Sequence, residues 1–139
     1  MSSADDDRAS LPIEVPQDIF KRVSELCLSM PEVTVRVDES RNLTTRSTAH
    51  SFDIRRRSFC LLVAAKGRFG KTVPIVVLRA DPDERAALLA TGHPFFVPRG
   101  GPDRIGVRLT DSTDWDEIRE LLTDSYRRLA PKKLTALLD

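Results

Sequence analysis

The residues with the clearest catalytic potential in this chain are two histidines and two cysteines. A nucleophilic triad needs a histidine within hydrogen-bonding reach of a serine or cysteine and of an acid. His50 lies among serines and threonines, but side chains alternate along a strand, so its neighbours face away from it. His93 follows Gly92 where a helix ends, and no His/Cys cluster has metal-ligand spacing. We therefore expect no enzymatic activity, no metal and no cofactor.

A second candidate is the glycine-rich stretch 67–72, which ends in Gly-Lys-Thr like a phosphate-binding loop. The full motif has four residues between its glycines, whereas Gly67 and Gly70 are separated by two. A strand, and not a helix, is predicted to follow. These departures argue against a nucleotide triphosphatase and leave a simple anion contact as the alternative.

Basic residues are concentrated in the middle of the chain. Residues 41–80 contain nine basic side chains and one acidic one, a net charge of +8 in a chain whose total is +1. Arginine suits phosphates and base edges, so this segment favours DNA as a weak, salt-dependent partner. The alternative is that these side chains are only solvated strand faces. The candidate contacts form two groups, at a hairpin tip and in the next connection: Arg55, Arg56, Arg57, Lys66, Arg68 and Lys71.

Hydrophobic periodicity predicts the elements that must position these residues, in the order α-β-β-β-α-β-β-α. A first helix between Pro16 and Pro31 carries an apolar stripe that includes Cys27. Strands are predicted over 51–55, 59–65 and 73–78, with Cys60 in the second and Arg56-Arg57 as the turn between the first two. Residues 33–37 fit either a short strand or an extended loop. The first two strands share a hairpin, so its tip and the next connection lie about 23 Å apart, at opposite ends of one strand.

The second half of the chain has clear helix-start signals. Asp81 precedes a proline and two acids and predicts a helix that stops at Gly92. Short strands over 95–97 and 104–109 follow, and Asp114 begins a last helix on which Trp115 is expected to be largely buried. Consecutive hairpins combined with helices indicate an α+β two-layer sandwich, in which helices pack on a mostly antiparallel sheet.

The length of 139 residues and the ordinary composition indicate one globular domain, over residues 13–139, after a disordered tail over 1–12. No apolar run is long enough to span a membrane, and no signal peptide is visible. We therefore expect a cytoplasmic protein without a membrane partner.

Four segments in order resemble the MmcQ/YjbR-like family. They are 52–59, which has a strand, a tight basic turn and a strand; 78–84, which leads into a helix; the Phe-x-Pro segment 96–98; and the C-terminal stretch 115–134. The resemblance covers about residues 17–135. It implies a fold of the secretion-chaperone-like or frataxin-like kind and DNA binding through a proposed double-wing arrangement.

Two function classes therefore remain at this point. The first is a non-enzymatic DNA-binding domain that uses its basic turns. The second is a dimerising or partner-binding adaptor with no nucleic-acid role. An uncovered apolar sheet face would favour a homodimer or a protein partner, whereas a polar face would favour a monomer.

Overall fold

Helices cover one face of a mostly antiparallel β-sheet in this computed structural model, which describes residues 12–41, 46–66 and 72–138. The predicted tail, residues 1–12, lies outside the described residues except for Pro12. The elements run in this order: β1 (Pro12–Ile13), α1 (Gln17–Leu28), β2 (Thr34–Arg41), β3 (Arg46–Ile54), β4 (Arg57–Lys66), β5 (Thr72–Arg79), α2 (Pro82–Thr91), β6 (Phe95–Phe96), β7 (Arg104–Arg108), α3 (Trp115–Leu129), α4 (Lys132–Thr135) and a 3₁₀ turn (Ala136–Leu138).

The strands lie side by side in the order β2-β3-β4-β5-β7-β6, and each neighbouring pair is antiparallel. The short β1 pairs in parallel with the first two residues of β3. The predicted α+β architecture is thus confirmed. Two strands are added to the predicted order: the two-residue β1, and the edge strand β2, which the segment that fitted either a strand or a loop forms.

Helices α1 and α3 bury their apolar stripes on the same face of this sheet. On α1, Val23 and Cys27 are fully buried, as the helical periodicity predicts. On α3, the ring of Tyr126 meets the ring of Phe59 on β4 edge to face, with centroids 5.6 Å apart. Asp81 and Asp114 cap α2 and α3 as predicted, each accepting hydrogen bonds from backbone amides of the first turn.

A β-bulge adjusts the register of the β3–β4 hairpin. Phe52 pairs with Cys60 and Asp53 pairs with Ser58, so Phe59 is an extra residue on β4. Phe59 and Cys60 are both fully buried, and both contact the helices: Phe59 meets Tyr126, and Cys60 lies against Cys27. The bulge lets two consecutive residues fill the core, which a regular strand would not do.

Trp115, expected to be largely buried, lies at the first position of α3, where it is partly buried and packs against the hydrophobic core. The guanidinium of Arg22 on α1 covers its ring at 4.6 Å from the ring centroid. The deeper aromatic anchor of α3 is Tyr126, which is fully buried and donates its hydroxyl hydrogen bond to the Pro31 carbonyl at 2.8 Å.

Candidate nucleic-acid interface

The tip of the β3–β4 hairpin is a two-residue turn made of arginines. Ile54 and Arg57 form the closing pair, and Arg55 and Arg56 have φ angles of 52° and 69°. Two-residue hairpins need left-handed residues there, which usually are Asn and Gly. The sequence predicts the turn one residue later, at Arg56-Arg57. That position is wrong, because the bulge at Phe59 shifts the register of the β3–β4 hairpin by one residue.

An ion pair holds the strained tip in place. The Arg55 guanidinium donates two hydrogen bonds to the Glu32 carboxylate, from Nε at 3.1 Å and from Nη2 at 3.2 Å. Glu32 itself has a φ of 60°, so the ion pair links two sites of left-handed backbone, one at Glu32 and one at the hairpin tip. Both side chains are about half-exposed, and such a pair stabilises only modestly. Its effect is to neutralise Arg55 and to leave the charges of its two neighbours available.

Arg56 and Arg57 are the two predicted contacts that remain available for an anion. Both are exposed, and neither has an acidic partner among the described residues. The other group of predicted contacts lies elsewhere. Lys66 is the last residue of β4, so about 30 Å of strand separates it from Arg57. Arg68 and Lys71 lie outside the described residues.

Two arginines that the sequence did not single out lie at the same end of the sheet as the tip. Arg79 ends β5 and Arg104 begins β7, and these residues pair across the two strands. Arg79 donates to the Asp103 carboxylate at 2.7 Å and to the Ser58 carbonyl at 3.1 Å. We call Arg56, Arg57, Arg79 and Arg104 the basic end; Asp103 is the acidic side chain paired with it.

Positive charge is in excess at the basic end. Burial lowers the pKa of the Arg104 guanidinium, and the nearby charges of Arg79 and Arg57 lower it further against the opposing charge of Asp103. The Nε of Arg104 is buried and has no hydrogen-bond partner within the described residues. One carboxylate therefore faces several guanidinium groups, an arrangement that suits binding of an anion.

The same charges act on the Asp103 carboxylate. Burial alone would raise its pKa, but the hydrogen bond and charge of Arg79, together with the charge of Arg104, outweigh burial and lower the pKa. Asp103 is thus ionised at neutral pH and holds Arg79 in place. The guanidinium groups of Arg56 and Arg57 have no such partner in the described chain.

The family model described as YjbR matches residues 28–128 of the chain, which is well over half of its length. The chain belongs to the YjbR family. The matched region of this YjbR-family chain includes the hairpin tip and all four residues of the basic end. No curated protein matches the chain.

The two histidines and two cysteines of this YjbR-family chain do not form one cluster among the described residues. His50 packs on the ring of Phe20, with ring centroids 4.4 Å apart, while the neighbouring Ser51 donates to Asp53 at 2.6 Å. Cys27 and Cys60 are buried, and burial together with contact with Cys27 raises the pKa of the Cys60 thiol. Among the described residues, no three His, Cys, Asp or Glu side chains could hold a metal ion.

Two further features of the YjbR-family chain bear on its partners. Thr72, at the end of the glycine-rich stretch, begins strand β5 and not a helix, so the arrangement of a phosphate-binding loop is not met. No helix in the described parts of the chain is long and apolar enough to cross a membrane.

Proposed function

We propose that this YjbR-family chain is a non-enzymatic domain that binds DNA weakly and holds its backbone phosphates at the basic end. The observation that carries the proposal is the pair Arg56 and Arg57, two exposed guanidinium groups without acidic partners in the described chain. They project from a hairpin tip, and such a tip can enter a groove of the duplex.

The chemistry of guanidinium supports phosphate as the bound group. It is planar, always charged and able to donate two parallel hydrogen bonds to phosphate oxygens. Arg104 adds a buried Nε that makes no hydrogen bond in the described chain and has only a long ion pair with Asp103, at 3.7 Å. Contacts of this kind position a protein on the duplex without reading its sequence. We therefore propose low sequence preference and strong salt dependence.

The proposal requires no cofactor and no catalytic residue. A cytoplasmic setting, where thiols stay reduced, fits the free cysteines Cys27 and Cys60.

Reversal of charge at the tip tests the proposal. Arg56→Glu/Arg57→Glu should weaken binding to a short duplex by at least about tenfold at about 50 mM salt, because two phosphate contacts become repulsive. The fold should survive because both side chains are exposed.

The matched control carries the same change of charge elsewhere. Lys21 on α1 and Arg119 on α3 are exposed and line one groove between these helices. Lys21→Glu/Arg119→Glu should lose much less affinity than the tip variant. Equal losses in both variants would show that only net charge matters. A wild-type protein that binds neither single- nor double-stranded DNA at low salt would overturn the proposal and leave the adaptor function.

A further inference from the structure

On the face of the sheet that points away from the helices, the central strands β4 and β5 carry apolar side chains. Leu61 pairs with Val77 and Val63 pairs with Ile75, which makes a continuous patch across β4 and β5. Phe96 extends it by lying over Gly106 on β7. None of these side chains packs in the core that the helices cover. We call the following residues the apolar face: Leu61, Val63, Val73, Ile75, Val77 and Phe96.

The charges around the apolar face are unequal on its two sides. The strand register and the alternation of side chains along β7 place Arg104 and Arg108 on the same sheet face, at one side of the apolar face. On the other side lie Asp38 on β2 and Asp53 on β3, and these two aspartates share the single guanidinium of Arg36 at 2.9 Å and 3.3 Å. One side of the face is thus net basic and the other net acidic.

We propose that the apolar face is a dimer interface with a second copy of this chain. The twofold axis runs parallel to the strands, over the gap between β4 and β5. Rotation about this axis lays the β7 side of one copy over the β2–β3 side of the other. Apolar side chains then meet at the centre, and each basic side meets an acidic side twice.

The register makes this complementarity specific. Asp38, Ala49, Val63, Ile75 and Arg108 form one row across five strands, as successive pairings show. The rotation leaves the position of this row along the strand direction unchanged. It therefore brings the partner's Arg108 over β3, next to Asp38. A twofold axis across the strands would instead place like charges over like charges, which costs energy.

The size of the face is adequate for a dimer. Six strands at about 4.8 Å span about 29 Å, and eight residues at about 3.3 Å span about 26 Å. The shorter strands at one side reduce the area to roughly 600–750 Å² per copy by these spacings. Standard interfaces bury about 600–1,000 Å² per partner, so nearly all of the face must take part.

The dimer would place both hairpin tips at the same end. A rotation parallel to the strands leaves the position along the strands unchanged, so the basic ends of both copies point in one direction. The proposal goes beyond nucleic-acid binding and stands without it, because the interface uses the sheet face and not the tip.

Solution mass, measured without nucleic acid, tests the interface. The wild-type protein should sediment at about twice 15.6 kDa at tens of micromolar. Ile75→Glu should raise the dimer dissociation constant at least about hundredfold, because it buries a charge at the centre of the interface. The control is Val37→Glu, at a valine on β2 that is 60% exposed on the other face of the sheet. A monomeric wild-type protein, or an Ile75→Glu variant that stays folded and dimeric, would overturn the proposal.

A charge swap tests the direction of the axis. Asp38 and Arg108 lie four strand spacings apart within one chain, which is about 19 Å and too far for contact. Asp38→Arg and Arg108→Glu should each weaken the dimer about tenfold, and the double variant should recover most of the loss. Recovery would report contact between copies. Losses that simply add in the double variant would overturn the proposed axis.

Discussion

The backbone amide of Arg79 donates a hydrogen bond to the Ser125 hydroxyl at 2.9 Å, and the same hydroxyl donates to the Phe59 carbonyl. Ser125 is fully buried on α3, whereas the two backbone groups belong to β5 and β4. One side chain thus connects the helix to two strands near the bulge. It also fixes the backbone of Arg79, a residue of the basic end.

Removal of this hydroxyl should destabilise the protein clearly. Ser125→Ala leaves a buried amide and a buried carbonyl without that partner, which costs about 2 kcal/mol. Thr123→Ala on the same helix is the control, because Thr123 makes only an exposed hydrogen bond, to the Arg119 carbonyl. Urea unfolding measures both. A loss for Ser125→Ala no larger than for Thr123→Ala would contradict the role of Ser125.

Gly106 should tolerate no side chain while Phe96 is present. A Cβ at Gly106 would lie 2.4–2.7 Å from atoms of the Phe96 ring, which is far inside van der Waals contact. Gly106→Ala should therefore cost about 1–3 kcal/mol of unfolding free energy. In the double variant Gly106→Ala/Phe96→Ala, this added cost should largely disappear. Additive losses in this double-mutant cycle would show that the ring does not lie over Gly106.

The stability of the protein should fall as His50 becomes protonated. Burial lowers the pKa of His50 from its ordinary value of 6.5, against a weaker opposing effect of Glu14. The unfolded state then binds the proton more tightly, so the free energy of unfolding decreases as pH falls below about 6.5. His50→Leu, which keeps an apolar contact with Phe20, should flatten this dependence between about pH 7.5 and 5.5. If the free energy of unfolding of His50→Leu depended on pH as that of the wild-type protein does, His50 would not be the group responsible.

The two cysteines should react only after unfolding. Cys27 and Cys60 are fully buried, and the pKa of the Cys60 thiol is raised by its burial. A thiol reagent needs an accessible thiolate. Labelling in increasing urea should therefore follow the unfolding transition. Rapid labelling of the native protein at either position would mean that α1 does not pack on β4 as described.

The helices and the inner strands were predictable because their signals are local. The apolar stripe of α1 and the caps Asp81 and Asp114 specify helices from short stretches of sequence. The edge strand β2 was ambiguous for a physical reason. Its alternating residues Val35 and Val37 are 42% and 60% exposed, so burial contributes little to its pattern.

The site was predictable only in part because it depends on long-range pairing. The arginines of the tip are adjacent in sequence and form one element, which is why they were found. The turn was misplaced by one residue because the bulge at Phe59 has no sequence signal as simple as a glycine. Arg79 lies beside the tip through the pairing of β5 with β4, and Arg104 joins it through the pairing of β5 with β7, which encloses α2 and β6 in the chain. No local pattern contains that information.

The salt dependence of DNA binding tests the central claim most directly. If Arg56, Arg57 and Arg104 each neutralise one phosphate, the log–log slope of affinity against salt should be about −2.7 for the wild-type protein. Arg56→Glu/Arg57→Glu should make this slope shallower by about two units, one for each lost phosphate contact. A wild-type slope near zero, or an identical slope for the two proteins, would contradict phosphate binding at the basic end.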